Sequence, residues 1–182
     1  MSTVIYYENE FNQSITEHQA EMSDVYLKIT KFNNLVKIKE EYVDSILSEV
    51  TYYQDNESLV DIFQQFPSLD KLDIVDRIEI QSNYIRENIL TYQKDGTVKL
   101  HAFNIEHILT GKSICFGQYY LQTGEIINES VVKMKYDTSG NVSYSYYYDA
   151  SGKINVIEEE SGEPFCNEFS VEYYNDVLPL LP

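Results

Sequence analysis

The sequence predicts a mainly β protein, with α+β as the near alternative: a single antiparallel, twisted β-meander sheet carrying one or two short helices. Two observations lead there. The phrase Tyr136-Asp137-Thr138-Ser139-Gly140-Asn141-Val142 returns twelve residues later as Tyr148-Asp149-Ala150-Ser151-Gly152-Lys153-Ile154. In each copy Asp opens a turn by bonding its own backbone and Gly accepts the positive φ that other residues resist, so each reads as strand, tight turn and returning strand. Between turns of this kind, apolar and polar residues alternate with the period of a strand.

In chain order, Ser14 with Glu17 three residues later has a capping-box pattern and opens a short helix. Val25, Leu27 and Ile29 alternate with Tyr26, Lys28 and Thr30, and Asn33-Asn34 turns that strand into Leu35-Val36-Lys37-Ile38. Residues 42–53 fit two patterns. Apolar positions 42, 43, 46, 47 and 50 suit a helix face, while Tyr42-Val43-Asp44-Ser45 resembles the turn phrase with Ser in place of Gly; the β-prone ending Val50-Thr51-Tyr52-Tyr53 favours a hairpin. Glu57 to Phe66 spaces its apolar residues on one helical face and is stopped by Pro67.

Strands follow over 74–80, 84–92 and 97–103, the last two joined by Lys94-Asp95-Gly96, and then over 113–121 and 126–136 through Gln122-Thr123-Gly124. The two Tyr-Asp turns extend the meander to 142–148 and 154–159. Val142, Tyr144, Tyr146 and Tyr148 share one face of their strand and are expected to point inward, with Ser143, Ser145 and Tyr147 on the other. Ser161-Gly162-Glu163-Pro164 reads as a further turn, and Phe169, Val171 and Tyr173 as a final strand. No Gly/Ser/Pro-rich linker interrupts the succession, so residues 1–182 read as one sheet-rich domain.

The net charge of −17 is unevenly placed. Segments 1–27, 40–70 and 154–182 hold five, eight and seven acids and no Lys or Arg. A surface so charged repels nucleic acid and anionic membranes and steers a basic partner toward itself. The start of the chain lacks a basic stretch followed by a long apolar run, and no segment has the length needed to cross a bilayer as a helix, so a cytoplasmic location is expected. Cys115 and Cys166 form no spaced pattern and are expected to be buried thiols. The 17 tyrosines, against no tryptophan, often stand side by side, as in Tyr6-Tyr7, Tyr52-Tyr53, Tyr119-Tyr120, Tyr146-Tyr147-Tyr148 and Tyr173-Tyr174. Neighbours on a strand face opposite ways, so both faces of a sheet become aromatic; Tyr serves half-exposed sheets and protein interfaces equally well.

No phosphate-cradling glycine loop, paired Cys-x-x-Cys, nucleophile elbow or acidic calcium loop occurs in the sequence. His101, Glu106, His107 and Cys115 are zinc-binding types, but their spacing matches no pattern that gathers ligands. Glu17-His18 carries still less. Glu158 and Glu160 share a strand face and suit acid–base chemistry only if one is buried, whereas a charged strand is ordinarily solvated. The expectation is a protein without catalytic residues, metal or cofactor.

The phrases at 136–142 and 148–154 resemble the tyrosine–aspartate repeats of bacterial rearrangement-hotspot shells, in which Tyr-Asp-x-x-Gly turns join the strands of a long sheet. In size, acidity and sheet-rich profile the whole chain is similar to the small acidic immunity proteins encoded beside bacterial polymorphic toxins. That resemblance implies a non-catalytic inhibitor that binds a cognate toxin domain, a basic nuclease being one candidate. Together with the residues, it leads to an expected contact surface at Tyr144, Tyr146, Tyr148, Glu158, Glu159, Glu160 and Glu163. The alternative is a hairpin-repeat scaffold or a small enzyme of unknown activity.

Overall fold

The computed structural model describes residues 2–81, 83–160 and 169–181. Its strands are β1 (Thr3–Asn9), β2 (Ser14–Ile15), β3 (Val25–Phe32), β4 (Leu35–Val43), β5 (Ile46–Tyr53), β6 (Lys71–Gln81), β7 (Tyr84–Gln93), β8 (Val98–His107), β9 (Lys112–Tyr119), β10 (Ile126–Tyr136), β11 (Val142–Tyr148) and β12 (Ile154–Glu159). Three short helices accompany them: α1 (Glu17–Glu21), α2 (Leu59–Gln65) and α3 (Val171–Asn175). The strands hydrogen-bond in the order β12-β11-β10-β9-β8-β7-β6-β5-β4-β3-β1-β2, a mainly β, antiparallel-dominated sheet. By packing the chain divides into two compact units, Met1–Asp76 with Leu90–Lys99 and Arg77–Ile89 with Leu100–Pro182.

In the first unit, hairpins are set by backbone that only a few residues tolerate. Asn33 and Asn34 have φ of 50° and 68°, the two positive values of a tight hairpin turn. Asp44 and Ser45 repeat this at 50° and 63°, and Val43 pairs with Ile46, so residues 42–53 form a hairpin and not a helix. α1 begins two residues later than expected. Ser14 and Ile15 run extended beside Tyr7 and Glu8, and Thr16 caps the helix in a reciprocal box with Gln19. Glu17 is thereby free to accept the Tyr7 hydroxyl at 2.7 Å.

The chain leaves the meander once. β5 and β6 pair in parallel, Tyr52 opposite Ile74, because α2 carries the chain back to the end from which β5 started. Ser58 Oγ accepts the Asp61 N–H at the head of α2, and Pro67 follows its last turn. Ile62, fully buried, packs with Phe66, Leu69, Val50, Tyr52, Leu72 and Ile74 into one core. Burying one such side chain stabilises by about 2 kcal/mol.

The second unit is built on the repeated turns. Asp137 Oδ1 accepts the Asn141 N–H at 2.8 Å, and Asp149 Oδ1 accepts those of Ser151 at 2.8 Å and Lys153 at 3.1 Å. Gly140 and Gly152 take φ of 91° and 81°, as the paired phrases require. Phe103, Ile105, Ile114, Cys115, Tyr119, Val131, Tyr148 and Val177 form its core. Cys115 is a buried free thiol, as expected, while Cys166 and the turn at 161–164 lie outside the described residues.

The predicted final strand is incorrect. Val171–Asn175 is helical, and Tyr173 and Tyr174 are each 3 % exposed. A strand would send these neighbours to opposite faces, whereas one helical turn buries both against the same core.

Candidate functional site

β11 and β12 carry the residues expected to meet a partner, and their register decides where each points. Tyr144 stands opposite Glu159 and Tyr146 opposite Ile157; Ser145 stands opposite Glu158 and Tyr147 opposite Val156. Cross-strand partners share a face, so the two sets lie on opposite sides of the sheet.

The first side faces the core. Tyr146 stacks on Tyr174 with ring centroids 4.4 Å apart, and the Tyr148 hydroxyl donates to the Tyr174 carbonyl at 2.9 Å. Tyr148 is 2 % exposed and is therefore removed from the expected contact surface. The inward reading holds for Tyr146 and Tyr148, yet Ser143 and Ser145 are also buried. Their side chains are short and lie below the tops of their neighbours, Ser143 Oγ donating to the Lys135 carbonyl and Ser145 Oγ to Glu160 Oε1.

On the same core side, fully buried Lys133 organises the C-terminal segment. Its Nζ donates to the carbonyls of Tyr173 at 2.6 Å, Asp176 at 2.9 Å and Pro179 at 2.7 Å, and lies 3.9 Å from the centre of the Tyr173 ring. Burial pulls this amine down to about 8, against the opposing influence of Cys115 and Asp176. Two lysines, Lys133 and Lys135, set among the apolar residues of β10 were the only trace of this arrangement in the sequence.

The other side presents a row across five neighbouring strands: Asn104, Phe116, Val132, Tyr147 and Val156. Phe116 is 40 % and Val156 44 % exposed, with Tyr147 half-buried and Val132 buried between them, so the row meets solvent at Phe116 and Val156. Beside it Met134, Ser145 and Glu158 make a second row, and Glu160 follows, its N–H bonded to the Ser143 carbonyl. Glu158 accepts the Tyr147 hydroxyl at 2.9 Å, and this bond, with burial second, raises the phenol's pKa. The three consecutive glutamates are exposed and divide between the sides, Glu158 and Glu160 with the apolar row and Glu159 with Tyr144. Glu163 lies outside the described residues.

Behind this row runs a polar network that sequence reasoning missed. Glu87, 7 % exposed, accepts from Arg77 Nε at 3.1 Å and from Asn104 Nδ2 at 3.5 Å, and Asn104 accepts from Ser113 Oγ. It fixes the end of the row at Asn104. In the first unit, the acidic segments 1–27 and 40–70 meet across strands: Glu8, Leu27, Glu41 and Glu49 stand in one row, with Lys71 Nζ 2.6 Å from Glu49. Tyrosines also gather by register, Tyr26 stacking on Tyr42 at 4.9 Å.

The candidate metal ligands have other tasks. His101 packs against Tyr119 with centroids 4.4 Å apart, its pKa lowered by burial and by Arg86, while His107 Nδ1 lies 3.0 Å from Thr110 Oγ1. Burial pushes the Cys115 thiol up to about 12, which leaves it unreactive. Among the described residues no group of three or more His, Cys, Asp or Glu is placed to hold a metal ion. What the outer side can do chemically is exclude water from an apolar partner surface while offering two carboxylates at its edge. Comparison with known proteins yields no match: no family model, no curated protein and no solved structure.

Proposed function

We propose that this protein is an immunity-type inhibitor, acting in the cytoplasm, that binds a basic toxin domain stoichiometrically and occludes its active surface without turnover. The observation that supports the reading best is the row in which exposed Phe116 and Val156 flank half-buried Tyr147, with Glu158 and Glu160 beside it. An apolar centre with an acidic rim is the anatomy of a surface that meets a cationic partner: the centre supplies desolvated contact, and the rim sets orientation and on-rate. A basic nuclease toxin fits this chemistry, and the net charge of −17 favours its approach over that of nucleic acid. In this reading the contact surface keeps Glu158 and Glu160, adds Tyr147, gives up Tyr146 and Tyr148 to the core side, and has Tyr144 and Glu159 reached around the edge strand β12.

The test uses the product of an adjacent toxin gene. Protection should reach its end point at one inhibitor per toxin, and Glu158→Lys with Glu160→Lys should lower the association rate roughly five-fold or more at low salt and flatten its salt dependence. Protection by trace, substoichiometric protein would mean turnover and overturn the reading. Unchanged rates at both low and moderate salt would move the contact to the acidic face of β1, β4 and β5.

A further inference from the structure

The second unit carries a shallow, open hollow of about 520 Å³ lined by Arg86, Tyr119, Glu125, Ile126, Leu178 and Leu180, with Gly124 and Asn128 at its margin. Its volume falls within the range of small-molecule sites. Arg86 is its distinctive member. In a chain with 30 acids and 13 bases, this guanidinium forms no ion pair with a carboxylate among the described residues. Nε donates to Asn88 Oδ1 at 3.0 Å and Nη2 to the Tyr119 hydroxyl, which leaves three of its five N–H groups without an acceptor among the described residues. The group is also held in place, its central carbon 5.7 Å from the Tyr119 ring centre and 5.9 Å from that of Phe103.

From this geometry we infer a binding site for a small monocarboxylate bearing an aliphatic or aromatic group. The planar guanidinium, fixed by two bonds and two rings, offers its remaining N–H groups to a carboxylate, the pairing for which arginine is best shaped. Ile126, Leu178 and Leu180 supply the wall for the apolar part. Glu125 also lines the hollow, yet stands farther from Arg86 than an ion pair allows, and its charge selects against dicarboxylates and polyphosphates. His101, kept toward its neutral form by burial and by Arg86, leaves the guanidinium as the cation at the site. The inference stands apart from toxin binding and uses none of the residues of the outer apolar row.

Phenylacetate and isovalerate, each beside its neutral amide, should be titrated into the full-length protein and followed by amide chemical shifts. The acids should shift resonances around Arg86, Tyr119 and Ile126 saturably, the amides should bind about tenfold more weakly or not at all, and Arg86→Gln should remove the preference for the acid. Leu178→Glu is a second variant that spares the fold, since Leu178 is 57 % exposed; it should abolish acid binding by placing a carboxylate on the wall. Equal affinity for acid and amide, acid binding unaffected by either substitution, or no saturable shifts at millimolar ligand would each overturn the assignment.

Discussion

Gly140 and Gly152 occupy the same position in two copies of one turn, yet their surroundings differ. A Cβ on Gly152 would lie 2.8 Å from Val177 Cγ1, a branched side chain fixed in the core, whereas on Gly140 it would meet the ammonium end of Lys112, which can swing away. Both positions have positive φ, so both substitutions strain the backbone. Gly152→Ala should therefore cost roughly 2–4 kcal/mol and Gly140→Ala about 1 kcal/mol in urea unfolding, and equal losses would show that backbone strain alone matters. The turn itself was legible from Asp and Gly. The contact with Val177 was not, because it depends on where a distant segment packs. Lys133 belongs with it: nothing local marks a lysine in a strand as a donor to three carbonyls more than 35 residues away.

Hairpins were the legible elements wherever a residue with special backbone tolerance announced them, as at Asn33-Asn34, Gly96 and Gly124. The hairpin at 44–45 was half hidden because Asp44 and Ser45 adopt positive φ without the usual Asn or Gly. It follows that Asp44→Asn with Ser45→Gly should stabilise the protein by about 1 kcal/mol, since the turn geometry is kept and the strain removed. Thermal unfolding checks this, and a lower midpoint would mean that the side chains of Asp44 and Ser45 contribute contacts of their own. α2 was readable from its apolar period and Pro67, but the parallel pairing it creates was not, since a helix of seven residues can return the chain to either side of a strand. α3 was misread because Phe169, Val171 and Tyr173 recur with the period of a strand, while burial of the adjacent rings of Tyr173 and Tyr174 decided the outcome. Of the expected contact residues, register placed Glu158 and Glu160 on the open side and turned Tyr148 into the core, a division that depends on irregularities such as the one between Tyr147 and Tyr148.

At the scale of the whole molecule, buried acids that are neutral when protonated set the alkaline limit. Burial holds Cys115 near 12, above its ordinary 9.0, and also raises Tyr148 and Tyr173; Tyr7 reaches about 12 chiefly through its bond to Glu17, and Tyr42 about 12 through burial. Each pKa is higher folded than unfolded, so the stability these groups confer is complete below pH 9 to 10 and lost as pH rises toward 12. Lys133, lowered to about 8 from 10.5, acts oppositely: its contribution grows between these values, because the unfolded chain there holds the extra proton. Urea midpoints should therefore change little from pH 8 to 9 and fall steeply above 10; a midpoint still rising at pH 10.5 would contradict the burial of the tyrosines. The strand order has a consequence for synthesis. From β4 onward each strand bonds to the one made just before it, so a chain leaving the ribosome can extend its sheet one strand at a time. The acceptors for the Lys133 ammonium come only with residues 173–179, long after the lysine itself. A chain lacking residues 173–179 would leave this ammonium without its three acceptors and open the covered face of β10 to water, so the order in which these segments are made sets when the second core can close.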